Sequence, residues 1–247
     1  MKKVNSVAAY EFIRKKILSG EYPPGYPLMT EALSSLTKVS RTPVREALHR
    51  LKAEGLVTIR DRLGASVRTM DFNEFREMCE LRLALESFTA GLAALNHTQA
   101  DLREIEYALD EMRKLTEQIL AAKSETPFID ELVRQDVRFH IAIMTAAKNE
   151  LIKGEILRLH LVNRVSMGPN NPPPPAMKKN ASDANRRKVL ASHEEIYEAI
   201  AKGDAKAAKL AMEEHVQDII DKNIPAFRAK DEAGQRGLTE EELVYSS

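Results

Sequence analysis

The sequence predicts a mainly α-helical protein with an N-terminal winged helix-turn-helix, whose wing is a small β-hairpin, and a C-terminal all-α six-helix bundle. Two observations predict this fold class. Three short helical patterns and two short strand patterns occupy the first 70 residues, and beyond them apolar residues recur only at helical spacing. We therefore predict a domain over residues 1–70, a helical domain over 71–229 and a polar tail over 230–247.

The distribution of charge supports this division. Lys and Arg number 37, as do Asp and Glu, but residues 1–70 carry 13 basic and 6 acidic side chains, leaving 24 and 31 beyond them. A basic small module attached to an acidic larger one is typical of a nucleic-acid reader with a second function. Cys79 is the only cysteine, which predicts a reducing cytoplasm, and no apolar run is long enough for a membrane span.

The N-terminal elements follow from turn and breaker residues. Gly20 ends a first helix, and a segment with three prolines predicts an extended turn before a second helix beginning near Thr30. The predicted elements are helices over 6–19, from 30 and from 41, strands over 56–59 and 65–69, and a charged hairpin tip over 60–64.

The third helix carries the candidate DNA-binding residues. Ser40 can cap it and Pro43 fits its first turn. Its apolar face comprises Val44, Ala47, Leu48 and Leu51, and off that face stand Arg41, Thr42, Arg45 and His49. Such a helix suits the DNA major groove, where guanidinium groups match guanine and reach phosphates. An ordinary surface helix with solvated charges has the same spacing and stays an alternative.

The pattern of the larger domain predicts successive helices separated by polar turns. Thr98 and Asp204 are candidate N-caps, and a polyproline loop at 172–175 interrupts the pattern. The predicted helices cover 72–95, 99–122, 127–148, 150–165, 185–202 and 205–223.

One carboxylate and three histidines form a second candidate site. Asp136 and His140 stand four residues apart on one helix, and His193 and His215 occupy consecutive helices joined by a tight turn. These four can form the ligand set of a divalent transition metal, with Zn, Ni, Mn and Fe undistinguished. The alternative is that these four are ordinary exposed or core side chains without a metal. However, the apolar residues around Asp136 and His140 predict that their helix is largely buried, and buried polar groups need partners.

The stretch VSRTPVREALHRLKAEGLV, Val39–Val57, resembles the winged-helix domain of GntR-type bacterial regulators. The larger domain is similar to the FCD-type ligand-binding domain of the FadR subfamily. Three stretches carry that similarity: ELRLALESFTAGLAA from Glu80, DVRFHIAIMTAAKNELI from Asp136 and SHEEIYEAIAKGDAKAAKLAMEEHV from Ser192.

The resemblance implies DNA contacts at Ser40, Arg41, Thr42, Arg45 and the wing glycine Gly64, and metal ligands at Asp136, His140, His193 and His215. It also implies that the protein binds double-stranded operator DNA as a homodimer and is not an enzyme. In this family repression is more common than activation. A small carboxylate or sugar-acid effector would bind the metal, with Arg82, Arg134 and Asn149 as further candidate contacts. For the two arginines a structural salt bridge is the alternative. The competing functions are a metal-dependent hydrolase or lyase with an accessory DNA-binding module, and a structural DNA-binding protein.

Overall fold

The computed structural model describes residues 2–60, 64–122, 124–167 and 179–235. The chain forms two compact units. The first comprises Met1–Phe75 and Leu157–Pro173, and the second comprises Arg76–Ile156 and Pro174–Ser247.

The first unit is a winged helix-turn-helix. Strands β1 and β2 pair antiparallel, with Val57 opposite Val67 and Arg60 opposite Gly64. The proline-rich turn also joins this hairpin, because Leu28 N–H donates to the Ala65 carbonyl at 2.8 Å. Its elements are α1 (Lys2–Leu18), α2 (Thr30–Thr37), α3 (Arg41–Ala53), β1 (Val57–Arg60) and β2 (Gly64–Val67).

The core of this unit also includes part of a helix that lies about ninety residues further along the chain. Val165 of α7 (Glu150–Met167) is buried in the same apolar cluster as Ile13, Val44 and Leu51. Gly55 accommodates this helix, because a Cβ there would lie 2.9 Å from a Val162 methyl carbon. The unit therefore includes residues beyond the predicted 1–70 segment, since an apolar helical face does not reveal which partner covers it.

In the described part of the second unit, every secondary-structure element is a helix. Helix α5 packs against α6 and α8, and α8 packs against α9. Gly91 permits a close approach between α4 and α9, because a Cβ there would lie 3.2 Å from the Ala205 carbonyl oxygen. Besides α7, the elements are α4 (Phe72–Asn96), α5 (Gln99–Ala121), α6 (Thr126–Ala146), α8 (Lys179–Ala201) and α9 (Ala205–Gln235).

The predicted fold class is confirmed, and the main differences lie at helix ends. Helix α1 begins at Lys2 rather than near Ser6, and α8 begins at Lys179 rather than near residue 185. Helix α9 continues through the exposed Pro225 into the predicted polar tail. Apolar periodicity indicates only the buried part of a helix, so it does not predict the polar turns at the ends of these three helices. The polyproline loop at 172–175 lies outside the described residues.

Asp101 anchors the beginning of α5. Its Oδ2 accepts the Thr98 N–H at 2.8 Å and the Lys148 ammonium at 2.6 Å, while Asp101 N–H donates to Thr98 Oγ1. Burial raises the pKa of Asp101, but the bonds from Lys148 and Thr98 outweigh it and bring the pKa to about 2. The ionised carboxylate therefore stabilises the folded state.

We expect Asp101→Asn to lower the free energy of unfolding by about 1–2 kcal/mol at pH 7, because the cap and the ion pair are both weakened. Since the folded pKa lies below the ordinary value of 3.8, this contribution is complete above about pH 5 and declines as the pH falls toward 2. Urea unfolding at pH 7 and at pH 3.5 measures it. Asp130→Asn, an exposed change on α6, is the control, and an equal loss at both pH values would contradict the explanation.

Candidate DNA-binding surface and metal centre

Helix α3 divides into a buried and an exposed face. Pro43, Val44, Ala47, Leu48 and Leu51 are buried in the core of the first unit. The four side chains predicted to reach DNA, Arg41, Thr42, Arg45 and His49, are all exposed. The apolar face thus fixes the helix while its polar face stays open to a ligand.

The N-terminus of α3 is open to an anion. Ser40 has the extended backbone of an N-cap, yet its side chain makes no capping hydrogen bond. Free amide N–H groups and the helix dipole favour a phosphate at such a terminus. Arg41 lies beside it and forms an exposed ion pair with Glu31 at 3.5 Å. Glu31 thus places a negative charge beside the basic N-terminal end of α3.

The predicted wing is present as the β1–β2 hairpin. Gly64 is exposed and has a φ of +88°, a backbone conformation that residues other than glycine rarely adopt. Among the described residues, and apart from its neighbours in the chain, none has an atom within 4 Å of the position that a Cβ would take there. Residues 61–63 of the predicted hairpin tip lie outside the described part of the chain.

In the second unit, the three predicted histidines meet between α6, α8 and α9. One ring nitrogen each of His140, His193 and His215 lies within 4.8 Å of the other two. His193 and His215 are 0 % and 4 % exposed. Asp136 completes the group, with Oδ1 lying 3.0 Å from His193 Nε2. The structure therefore brings all four predicted ligands together.

Hydrogen bonds on the far side of the rings set the histidine tautomers. Val189 carbonyl accepts from both Ser192 Oγ–H and His193 Nδ1–H, each at 2.7 Å. Because the Ser192 hydroxyl donates there, its oxygen accepts the His215 Nδ1–H at 2.9 Å. In the neutral form of each ring, Nε2 then carries the lone pair, and both Nε2 atoms are buried without a hydrogen-bond partner. Outer hydrogen bonds of this kind orient histidine ligands in metal sites.

The electrostatics of the cluster favour a cation. Burial, together with positive charge on His140 or His193, lowers the pKa of His215 to about 3, so this ring is neutral at pH 7. Burial raises the pKa of Asp136, but the contact with His193 and the neighbouring histidine charges outweigh it and bring the pKa to about 2. A half-buried ionised carboxylate thus faces the neutral His215 ring and lies beside His193 Nε2, and carboxylate and imidazole groups are the donors that divalent transition metals bind.

The spacing of the donors fits a metal as well. Two donors bound at about 2.1 Å and at right angles on one ion lie about 3.0 Å apart. That is the separation of Asp136 Oδ1 and His193 Nε2, although the two atoms do not form a well-aligned hydrogen bond. The orphaned nitrogens beside this carboxylate are therefore suited to a metal ion.

The three predicted effector contacts occupy different surroundings. Arg82 is buried on α4 and pairs with buried Glu86 at 2.9 Å. The negative charge of Glu86 raises the pKa of His215, although burial lowers it further. Arg134 is 71 % exposed and pairs with Glu131. Because it stands two positions before Asp136 on the same helix, it faces another side of that helix. Asn149 caps α7 by accepting the Ile152 N–H at 3.1 Å. Arg134 and Asn149 thus receive no support as effector contacts.

Two openings border the cluster. A groove of about 540 Å³ between α8 and α9 includes Ser192 and His215, but most of its charged side chains are acidic, such as Glu195, Glu213 and Glu214. A cavity of about 180 Å³ between α5, α6 and α8 includes Asp136 and Arg186. Sequence reasoning missed Arg186, although it stands seven residues before His193 and hence shares its helix face.

Comparison with known proteins places the chain in a family. The gntR family of bacterial regulatory proteins matches residues 5–67, and the FCD domain matches residues 77–218. The chain belongs to the GntR family. It is 31% identical to the HTH-type transcriptional regulator LutR of Bacillus subtilis, and the match covers 83% of this chain and 94% of LutR.

Two further similarities agree with this assignment. The Uxu operon transcriptional regulator of Escherichia coli is 33% identical over 84% of this chain and 82% of its own length. The structure of E. coli McbR/YncC has the same fold, with a TM-score of 0.60 and 21% identity, and the match covers 88% of this chain and 95% of that one.

The GntR-family chain is therefore a DNA-binding transcriptional regulator with an FCD domain. Its relatives are named as regulators and not as enzymes, so the hydrolase or lyase alternative is excluded. Across the described residues, no helix has the length and apolar character needed to cross a membrane.

Proposed function

We propose that this regulator is a cytoplasmic, effector-responsive repressor that binds double-stranded operator DNA as a homodimer. Its helical domain holds a divalent metal and a small carboxylate effector, which together set operator affinity. The observation that carries the proposal is the pair of buried, unpartnered Nε2 atoms of His193 and His215 beside the Asp136 carboxylate.

The metal would be held by Asp136, His140, His193 and His215, and zinc, nickel, manganese and iron all suit these donors. When bound, it supplies open coordination positions for a carboxylate. Ser192 and the Val189 carbonyl hold the rings in place for that role. Buried Arg82 lies on the helix that also carries Glu86, and it stays a candidate for positioning the effector.

The DNA-binding role rests on the exposed face of α3. Arg41, Thr42 and Arg45 would enter the major groove while Ser40 and the helix N-terminus meet a phosphate. The wing, including Gly64, would lie along the backbone or minor groove. With α3 placed in this way, its buried apolar face keeps its packing in the first unit.

A second copy of the chain would pack on α4. Leu81, Phe88 and Leu95 are 43%, 50% and 67% exposed and recur every seven residues, the repeat of a helix–helix seam. Two joined copies present two α3 helices to the two halves of a palindrome. An effector that binds one arrangement of these helices better, with a coupling of about 1–3 kcal/mol, would shift operator affinity by roughly 5- to 150-fold.

Metal removal tests the proposal. We expect dialysis against a chelator to lower the melting temperature, because a ligand of the folded state alone stabilises it. We also expect chelation to abolish any effect of added carboxylates on operator affinity, measured by fluorescence anisotropy. Restoring one metal per chain should reverse both changes. A melting curve and an effector response that are both indifferent to chelator would refute the metal site.

A further inference from the structure

The turn between α2 and α3 holds these two helices in one arrangement. Val39 N–H donates to the Ser34 carbonyl at 3.3 Å, and the Ser34 hydroxyl donates to the Val39 carbonyl at 2.6 Å. Leu33 of α2 and Val44 of α3 are both buried in the core of the first unit. The start of α2 and the start of α3 therefore keep a fixed position relative to each other.

Glu31 and Arg41 meet where these two helices begin. Glu31 is the second residue of α2 and Arg41 is the first of α3, and Glu31 Oε1 lies 3.5 Å from Arg41 Nη1. The carboxylate is favoured in this place, because the first turn of α2 is the positive end of the helix dipole. Among the described residues, exposed Arg45 has no ion pair, so Arg41 alone of the two has a partner that orients it.

The pair leaves one edge of the Arg41 guanidinium open. The ion pair is made through Nη1, and in the described part of the chain no hydrogen bond engages Nε or Nη2. Two adjacent N–H groups of a guanidinium match the O6 and N7 acceptors of guanine in the major groove. Because the group is planar, a carboxylate bound at Nη1 can fix its orientation without covering that edge.

The effect of this pair is expected on DNA rather than in the free protein. The Arg41 and Glu31 side chains are 65% and 57% exposed, so their ion pair contributes little to folding stability in water. A base pair that covers Arg41 excludes water, and the attraction between the two charges is stronger there. The Glu31 charge also repels phosphates, which weakens the contacts that DNA of any sequence offers.

We propose that Glu31 determines operator specificity by positioning Arg41. Its carboxylate holds the Arg41 guanidinium so that the open edge reads one guanine in each half of the operator, while its charge weakens binding to other sequences. Glu31 is thus a positioning residue and makes no base contact of its own. This role goes beyond the proposed function, and it rests on the DNA contact that the proposed function gives to Arg41.

Selection from a library of random-sequence DNA duplexes tests the role of Glu31, because the operator sequence need not be known beforehand. The unaltered full chain, Arg41→Gln, Glu31→Gln and the double variant each select from the same library. We expect Arg41→Gln to relax the preference for guanine at one position of each half-site, and Glu31→Gln to relax the same position by roughly fivefold. In the double variant, we expect the preference to equal that of Arg41→Gln alone.

Affinity for a duplex of unselected sequence gives a second measurement. We expect Glu31→Gln to strengthen this binding several-fold at low salt, because one negative charge near the phosphates is gone. Glu11→Gln is the matched control, since it removes the same charge from an exposed position on α1. Circular dichroism of each variant verifies that the helices are retained.

The outcomes separate the role of Glu31 from the contact made by Arg41. An unchanged guanine preference in Glu31→Gln, or an equal change in Glu11→Gln, would overturn the positioning role while leaving Arg41 on the DNA-binding surface. A further loss of preference in the double variant would show that Glu31 contacts DNA directly, which also overturns it. If Arg41→Gln leaves the preference at every position unchanged, the proposed DNA contact of Arg41 fails and the inference fails with it.

Discussion

Replacing His193 by alanine is expected to abolish stoichiometric metal binding and the effector response while operator binding by the free protein persists. His193 is fully buried, contacts Asp136 and lies against His215, with the two ring centroids 4.4 Å apart. Removing one of four ligands should weaken metal affinity by more than about 100-fold, because changes to outer partners alone cost about 10- to 100-fold. Elemental analysis after dialysis and anisotropy with operator DNA measure the two effects.

The variant needs a control for lost packing. His97→Ala is suitable, because His97 Nδ1 also bonds to the carbonyl four residues earlier, that of Ala93, yet it lies outside the cluster. His140→Ala offers a second test at a less buried ligand. One metal per chain in either cluster variant would contradict the ligand assignment.

Replacing Arg45 by alanine is expected to weaken specific operator binding by about 1–3 kcal/mol, which is the magnitude of a lost bidentate base contact. Arg45 is exposed near the start of α3, beside buried Val44, so its guanidinium can move without disturbing the core. If it reads a base, preference at one operator position should relax. If it contacts a phosphate, affinity should fall uniformly and the salt dependence should decrease by about one counterion.

Lys52→Ala is the matched control, since it removes the same charge from the exposed C-terminal end of the same helix. We expect it to change specific and non-specific affinity little. Unchanged operator affinity in Arg45→Ala at low and high salt would remove this residue from the DNA-binding surface. Circular dichroism of both variants separates a binding defect from a folding defect.

The features predictable from the sequence are those set by residues near one another in the chain. The two faces of α3 follow from the apolar spacing of Val44, Ala47, Leu48 and Leu51, and this spacing also left Arg41 and Arg45 exposed. Asp136 and His140 share a face because one helical turn separates them, and Gly203 with Asp204 marks the turn that joins the helices of His193 and His215. Thr98 was predictable as a cap for the same local reason.

Other features depend on which side chains meet across helices. The ion pair of Arg186 with Glu125 joins residues 61 positions apart, so no spacing rule indicates it. Arg134 and Asn149 were chosen for their chemistry, but helix rotation turns the first away and a capping bond occupies the second. Val165 belongs to the core of the winged helix although it lies far along the chain.

The sequence by itself therefore determined the fold class, the exposed face of α3 and the identity of four side chains suited to a metal. Only the tertiary structure decided which histidine nitrogens carry lone pairs, because that depends on the Ser192 hydroxyl and Val189 carbonyl behind the rings. It also decided where the cavity lies and what lines it. The physical reason is that periodicity fixes the direction of a side chain from its own helix, whereas its partners depend on how separate helices pack.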